Sequence, residues 1–382
     1  MARRGHNEGS IYKRADGRWA ASMTIRYEAG KLKRKTFYGK TRREVQEHLT
    51  KALRDKQQGM MPVVGPAHTL EAFLIRWLED VVKPGVRVTS YVRYRQVVRD
   101  HLVPELGNIQ LAKLGPEDAQ ALYARKLGQG YAPRTVQYMH VTLHLALKYA
   151  VRWNLVPRNV TDVVNAPRIP RRDPRVLTVE QAQRLLAAAR GDRMEALFVL
   201  ALTSGMREGE LLGLKWEDID LTYGTLSVRR TVVQLPPPYG WIESEPKSAQ
   251  SRRSIKLAAM TISALHVHRA RQLEQRVAAG EAWEDHDLVF PTTHGRRMSP
   301  TTLRMCHFRP LLLRAGIPYR RFHDLRHGAT TLLLSMGIHP KVVQELLGHS
   351  QISITMDIYS HVLPTLQGEV VRRLGELLEG SE

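Results

Sequence analysis

The chain has 382 residues, 43% hydrophobic and 25% charged, which suits two or three folded domains and excludes a largely disordered protein. Lysine and arginine total 58 against 37 acidic residues, a net charge of +21 with a pI near 10.3, so a polyanion is the expected partner, with nucleic acid ahead of an anionic membrane surface. One cysteine, Cys306, excludes an intramolecular disulfide and a cysteine-based zinc site, and the chain shows no apolar run of spanning length and no apolar leader, so a cytoplasmic protein with no membrane contact is expected.

Residues 1–60 read as a small module. A strand over 10–14 and a turn at Ala15-Asp16-Gly17 lead into a half-buried strand in which Trp19, Ala21, Met23, Ile25 and Tyr27 alternate with polar or small residues. A third strand follows, rich in Lys31, Lys33, Arg34 and Lys35. Thr41 and Glu44 have the spacing of a capping box for a helix whose Val45, Leu49 and Leu53 would cover the sheet. Three strands backed by one helix leave the other sheet face to Arg26 and neighbouring basic groups, Lys33 and Lys35 among them. A basic ribbon of that width can enter a major groove.

A linker, MMPVVGP, precedes a region from 66 to 165 that reads as a bundle of four helices, over 69–82, 90–102, 116–127 and 133–153. Arg87, Arg93, Arg95, Arg99 and Lys113 fall on its polar faces, and Arg93 and Arg99 are candidate DNA contacts. APRIPRRDPRV, residues 166–176, holds three prolines and four arginines, so it reads as an extended hinge that keeps Arg171 and Arg172 near a polyanion. A domain from 175 to 382 follows. Thr178 and Gln181 cap its first helix, and strands at 225–234 and 251–257 stand among many helices. The fold class is mainly α with small β elements (α+β). No internal repeat is visible.

The polar signals of the last domain are spaced irregularly, unlike a packing pattern. In TSGMREGELLGL an apolar helix stops at Ser204-Gly205, and Arg207 stands at the entry to the next helix. An arginine there opposes the macrodipole, but an incoming phosphate can use both the guanidinium and the free backbone N–H groups. Glu210, one turn on, is placed to hold that arginine. Lys247 sits at an expected hairpin tip. In FHDLRHGAT, His323 and Arg326 share a helix face. Gly348-His349 follows an amphipathic helix, and Tyr359 closes LLGHSQISITMDIYSHV.

In their order and local contexts Arg207, Lys247, His323, Arg326, His349 and Tyr359 resemble the catalytic set of the tyrosine recombinase, or phage integrase, family. The resemblance covers about 175–365. It extends less sharply to the bundle, which looks like the family's core-site DNA-binding domain, and residues 1–60 are similar to its arm-site-binding domain. The resemblance implies a site-specific recombinase that joins Tyr359 to a DNA 3′-phosphate, needs neither metal nor other cofactor, and integrates or excises a mobile element. Arg207 and Arg326 would clamp the phosphate, His323 act as base, Lys247 as acid, and His349 donate a hydrogen bond. Implied partners are double-stranded DNA at core and arm sites, a homotetramer on that DNA, and a DNA-bending accessory protein or excisionase. The apolar stripe of Val370, Val371, Leu374, Leu377 and Leu378 fits a last core helix or, as in the family, a tail docked on a neighbour. Type IB topoisomerases share the chemistry, and the N-terminal module and tail argue against that reading.

Overall fold

The computed structural model describes residues 9–28, 31–57, 68–170, 177–245, 252–348, 351–353, 355–358 and 378, with 25–28, 31–33 and 55–57 described by backbone alone. The chain divides into two compact units, Met1–Arg171 and Arg172–Glu382. The expected linker at 60–66 lies outside the described residues.

The first unit opens with β1 (Ser10–Lys13), β2 (Trp19–Glu28) and β3 (Lys31–Gly39), an antiparallel sheet in that order, backed by α1 (Arg42–Gln57). Thr41 Oγ1 accepts from the Glu44 amide at 3.2 Å, and the Glu44 carboxylate reaches back to the Lys40 amide at 2.8 Å, so the helix start is tied in both directions. Val45, Leu49 and Ala52 pack on Ala21 and Met23. Burying each larger side chain stabilises the module by roughly 1.5–3 kcal/mol. The strict alternation expected along β2 fails between Thr24 and Arg26, where the register shifts by one residue. A bulge of this kind reverses which face later side chains take. Before the bulge, Lys35 pairs with Met23 and so shares the helix-facing side, its ammonium 5.4 Å from the Phe37 ring. Lys35 therefore does not join the open face on which it was expected. That face carries Tyr12 and Tyr38, which flank the fully buried Ala20, with the Arg14 guanidinium 5.2 Å from the Tyr38 ring.

The bundle runs through α2 (Leu70–Trp77), a π-helical turn (Leu78–Val82) and α3 (Lys83–Gly85), then α4 (Val88–Val97), a second π-helical turn (Val98–Leu102) and α5 (Val103–Leu106), then α6 (Pro116–Gly128) and α7 (Pro133–Arg152). Thr69 caps α2 by accepting from the Ala72 amide, and proline opens both α6 and α7, where its missing N–H is no loss. Phe73, Trp77, Leu102, Leu122, Tyr123, Met139 and Leu143 fill the interior.

The second unit begins with α8 (Val179–Ala189), closed by the reciprocal bonds of Thr178 and Gln181. Next comes α9 (Glu195–Ser204), apolar on every side and buried almost throughout, as a central helix must be. Helices α8, α11 (Ala259–Ala279) and α14 (His323–Ser335) pack around it. Short α10 (Glu208–Leu212) follows it. The strand expected at 225–234 is two strands. β5 (Thr225–Val228) lies between β4 (Ile219–Asp220) and β8 (Arg253–Lys256), whereas β6 (Thr231–Leu235) forms a separate hairpin with β7 (Gly240–Ser244), which sequence reading missed. The chain breaks at Arg230 because that side chain turns inward to ion pairs with Asp218, with Glu217 at 2.8 Å and with Glu243 at 3.4 Å. α12 (Pro300–Thr302), a π-helical stretch (Leu303–Phe308) and α13 (Arg309–Arg314) form one helical run, and α15 (Pro340–Leu347) ends at Gly348 in the left-handed conformation. Leu334, Val343, Leu347 and Ile358 make a small core beside the main one.

Gly205 ends α9 at φ +59°, and a Cβ there would collide with Leu347 Cδ2. A Gly205→Ala variant is expected to lose on the order of 1–2 kcal/mol from the left-handed backbone alone, and more from the collision. Denaturant unfolding of the full chain measures it.

Candidate active site

The end of α15 gathers three arginines from three distant segments. Arg253 Nε donates to the carbonyl oxygen of Leu346 at 2.9 Å, Arg326 Nη2 to that of Leu347 at 2.8 Å, and Arg207 Nη2 to that of Gly348 at 2.9 Å. Three consecutive carbonyls thus each accept from a different guanidinium. The last carbonyls of a helix have no intrahelical donor and carry the negative end of its dipole, so cations belong there. The second Nη of Arg326 spans to the carbonyl of Gly205 at 2.7 Å, tying the end of α9 to the end of α15.

Arg207 is the residue that leads into α10. Its amide donates to Glu210 Oε2 at 3.0 Å and its Nη1 to Glu210 Oε1 at 2.7 Å. The Glu210 side chain is 2% exposed and that of Arg207 35%, so a buried carboxylate holds a guanidinium at an open rim. Arg253 meets the same carboxylate from behind, Nη2 to Oε2 at 3.0 Å, with its own side chain 6% exposed. Burial alone would raise the Glu210 carboxyl, but the charge and hydrogen bond of Arg253, joined by Arg207, hold it below the usual carboxylate range.

Arg326 sits on α14 at 3% exposure. Burial, then repulsion from Arg207, pushes it down to about 9, still far enough above neutrality to keep its charge. His323 opens the same helix one turn earlier, its ring edge-on to His327 at 4.9 Å between centroids. The residue is exposed, although neighbouring groups crowd its ring. Loss of hydration around the ring, with His327 and then the Arg326 charge nearby, pushes it down to about 4. Its imidazole is therefore neutral at pH 7, the form that accepts a proton.

The described residues thus bring Arg207, Glu210 and Arg326 together, with His323 on the arginine's own helix. Lys247, His349 and Tyr359 lie outside the described residues, as do Arg171, Arg172 and the tail stripe up to Leu377. Parts of the last motif ahead of Tyr359 are described. Gly348 ends α15, and Thr355 and Ile358 are buried just ahead of Tyr359, Ile358 packing with Leu334, Val343 and Leu347. In the first unit the backbones of Arg26 and Lys33 pair across β2 and β3. Arg99 is ion-paired to Asp100 at 2.7 Å. Arg93 lies 5.1 Å from the Tyr138 ring and Arg134 lies 5.2 Å from the same ring, two guanidiniums on one exposed aromatic.

Sequence reading passed over Arg253 and Arg134. The signal for Arg253 was present: it shares strand parity with the buried Ile255, an inward position for a charged residue. Arg134 gave none, because its meaning comes from Arg93 across the bundle. Among the described residues no group of three or more histidine, cysteine or acidic side chains could hold a metal ion, and His268 spends its Nε2 on the Val289 carbonyl at 2.6 Å. Among them, too, no helix is long and apolar enough to cross a membrane.

Residues 175–365 match the phage integrase family, and residues 69–127 match the N-terminal SAM-like domain of phage integrases. The chain is 32% identical over 377 residues to a tyrosine recombinase XerC-like protein of Caldanaerobacter subterraneus, covering 94% of this chain and 96% of the relative. Its fold is similar to that of the Tn1549 transposon integrase in complex with transposon right end DNA, with a TM-score of 0.67 at 20% identity over 80% of this chain and 99% of that one. It is also similar to a lambda integrase tetramer bound to a Holliday junction, with a TM-score of 0.58 at 18% identity over 93% and 96% of the two chains.

In the DNA-free protein the His323 ring is expected to remain neutral at pH 5.5, where an unperturbed imidazole, titrating near ~6.5, is mostly protonated. The sign for stability follows. The unfolded chain takes up this proton first, so stability falls as pH drops from 6.5 toward about 4. Nuclear magnetic resonance titration of the ring checks this, and a midpoint near 6.5 contradicts it.

Proposed function

Since the chain belongs to the phage integrase family of tyrosine recombinases, we propose that Tyr359 is its nucleophile and that Arg207 and Arg326 bind the phosphate it attacks. The chain is a site-specific DNA recombinase. The observation that carries the residue assignment is the pair of guanidiniums on adjacent carbonyls, Leu347 and Gly348, directly ahead of His349. A phosphodiester resists nucleophiles because its charge repels them. Two fixed cations that already converge need no reorganisation to receive its non-bridging oxygens and the added charge of a five-coordinate transition state.

The reaction then runs as a phosphoryl transfer. The Tyr359 oxygen forms a bond to phosphorus as its proton passes to neutral His323. The bond from phosphorus to the 5′-oxygen breaks, and Lys247 protonates that oxygen as it leaves. The product is a 3′-phosphotyrosyl ester and a free 5′-hydroxyl. The ester conserves the bond energy, so a 5′-hydroxyl from another strand can reverse the step and rejoin DNA without a nucleotide. His349 donates to the phosphate throughout.

The rest of the chain would place this site on DNA. Residues 66–165 bind core sites, with Arg93 and Arg134 held over Tyr138 and presented to backbone phosphate. The ion pair of Arg99 with Asp100 is exposed and weak enough to yield to a phosphate. Residues 1–60 bind arm sites, and Arg171 and Arg172 follow the duplex between the two larger domains. A homotetramer is the working assembly, with the C-terminal tail docked on a neighbour. The lambda integrase tetramer on a Holliday junction, which shares the fold, supports that state. The reading places the protein in the cytoplasm, where it would integrate or excise a mobile element, a prophage or an integrative plasmid, with a DNA-bending protein or excisionase as accessory.

On a nicked core-site duplex, Tyr359→Phe should form no covalent protein–DNA complex while binding the duplex about as well as wild type. Denaturing gel electrophoresis reads the first and a mobility shift the second. A covalent complex formed by the Phe variant removes Tyr359 from the mechanism. Arg207→Ala should slow single-turnover cleavage by about 10²–10³-fold, the scale of losing one transition-state donor, with a much smaller loss of affinity because many phosphate contacts remain. Deleting residues 1–60 should abolish arm-site binding and leave core cleavage. Unchanged arm-site affinity contradicts that assignment.

A further inference from the structure

Arg253 has no part in the reaction just described, yet it is deeply buried and holds two groups of the site. It lies on β8, paired with Val228 of β5, and its side chain is 6% exposed. Its planar fork reaches two groups of the site. Nη2 and Nη1 meet the Glu210 carboxylate at 3.0 and 3.5 Å, and Nε meets the Leu346 carbonyl at 2.9 Å. Each target belongs to a different phosphate-binding arginine. Glu210 holds Arg207, and Leu346 is the residue before the Leu347 carbonyl that takes Arg326.

We propose that Arg253 is a positioning residue for strand cleavage: it fixes Glu210 and the last turn of α15, and through them sets where Arg207 and Arg326 stand. The inference rests on the reading of those two arginines as the phosphate clamp. Its physical basis is charge matching. Glu210 is too deeply buried to be satisfied by water, and one partly exposed guanidinium cannot neutralise it from a single side. Without Arg253 the carboxylate would draw Arg207 inward and away from the rim. With Arg253 behind it, Glu210 is already paired, and Arg207 is left to orient outward. Arg253 is too buried to touch DNA, so it acts only through its neighbours. A lysine cannot copy it, because one ammonium does not reproduce a fork that bonds a carboxylate and a carbonyl at once.

The test uses the full-length chain and a nicked core-site duplex, with single-turnover cleavage rate, core-site affinity and thermal melting measured for each variant. Arg253→Met should cleave about 100-fold more slowly, the effect of a misplacement of roughly an ångström, with affinity within about threefold of wild type. Arg253→Lys should fall between the two, about tenfold slow, at a wild-type melting temperature. Glu210→Gln combined with Arg253→Met should be no slower than Arg253→Met alone, since both act through one network. If Arg253→Lys cleaves at the wild-type rate, the proposal is overturned, and that variant decides the matter should Arg253→Met fail to fold. Affinity falling in step with rate across both variants also overturns it, in favour of a purely structural role. Arg207→Lys serves as the control. If it cleaves normally the clamp itself is wrong, whereas a dead Arg207→Lys beside an unaffected Arg253→Lys refutes this inference alone.

Discussion

The site of the second unit depends on the negative end of one helix. α15 finishes with carbonyls that its own backbone cannot satisfy, and the chain supplies arginines from α14, β8 and the turn before α10 to satisfy them. Each arginine comes from a segment far off in sequence, so the helix end acts as the template on which those segments are registered. Only one carboxylate, Glu210, stands among these cations in the described contacts, and it is buried. The surplus of positive charge is what a phosphodiester would neutralise, and the helix dipole steadies it until then.

The same surplus runs through the whole chain. A net charge of +21 costs stability through self-repulsion, and it is held in check locally by pairs such as Arg304 with Glu208 and Arg314 with Asp192. Other cations are set against aromatic rings instead. Arg93 and Arg134 share Tyr138. A ring orders a guanidinium without cancelling its charge, so the donors remain available to an anion. Carboxylate-paired and ring-paired arginines therefore differ in readiness, a distinction that sequence position does not carry.

How far the sequence could be read follows from which signals are local. The helices of both units were legible because caps and apolar spacing lie within a few residues: Thr178 with Gln181, Thr41 with Glu44, and the apolar run that stops at Gly205. The strands were harder. The run from Thr225 to Gln234 is uniformly strand-like, and its division at Arg230 depends on acidic partners at Glu217, Asp218 and Glu243 that no local pattern shows. The bulge after Thr24 is likewise a pairing event, in which β2 carries one residue more than β3. Within the site, Arg207 stood out as a cation at a helix entry, Glu210 as its partner one turn on, and Arg326 by sharing a helix face with His323. Arg253 did not, because a pair of arginines in a basic chain looks like surface.

Gly205 carries one more consequence. With no side chain at that point, the end of α9 lies close against the Leu347 side chain of α15, leaving no room for a Cβ. A flexible side chain there would let the gap breathe with temperature. Close packing limits that movement, so Arg207, two residues past Gly205, and Arg326, bonded to the Gly205 carbonyl, keep a set separation.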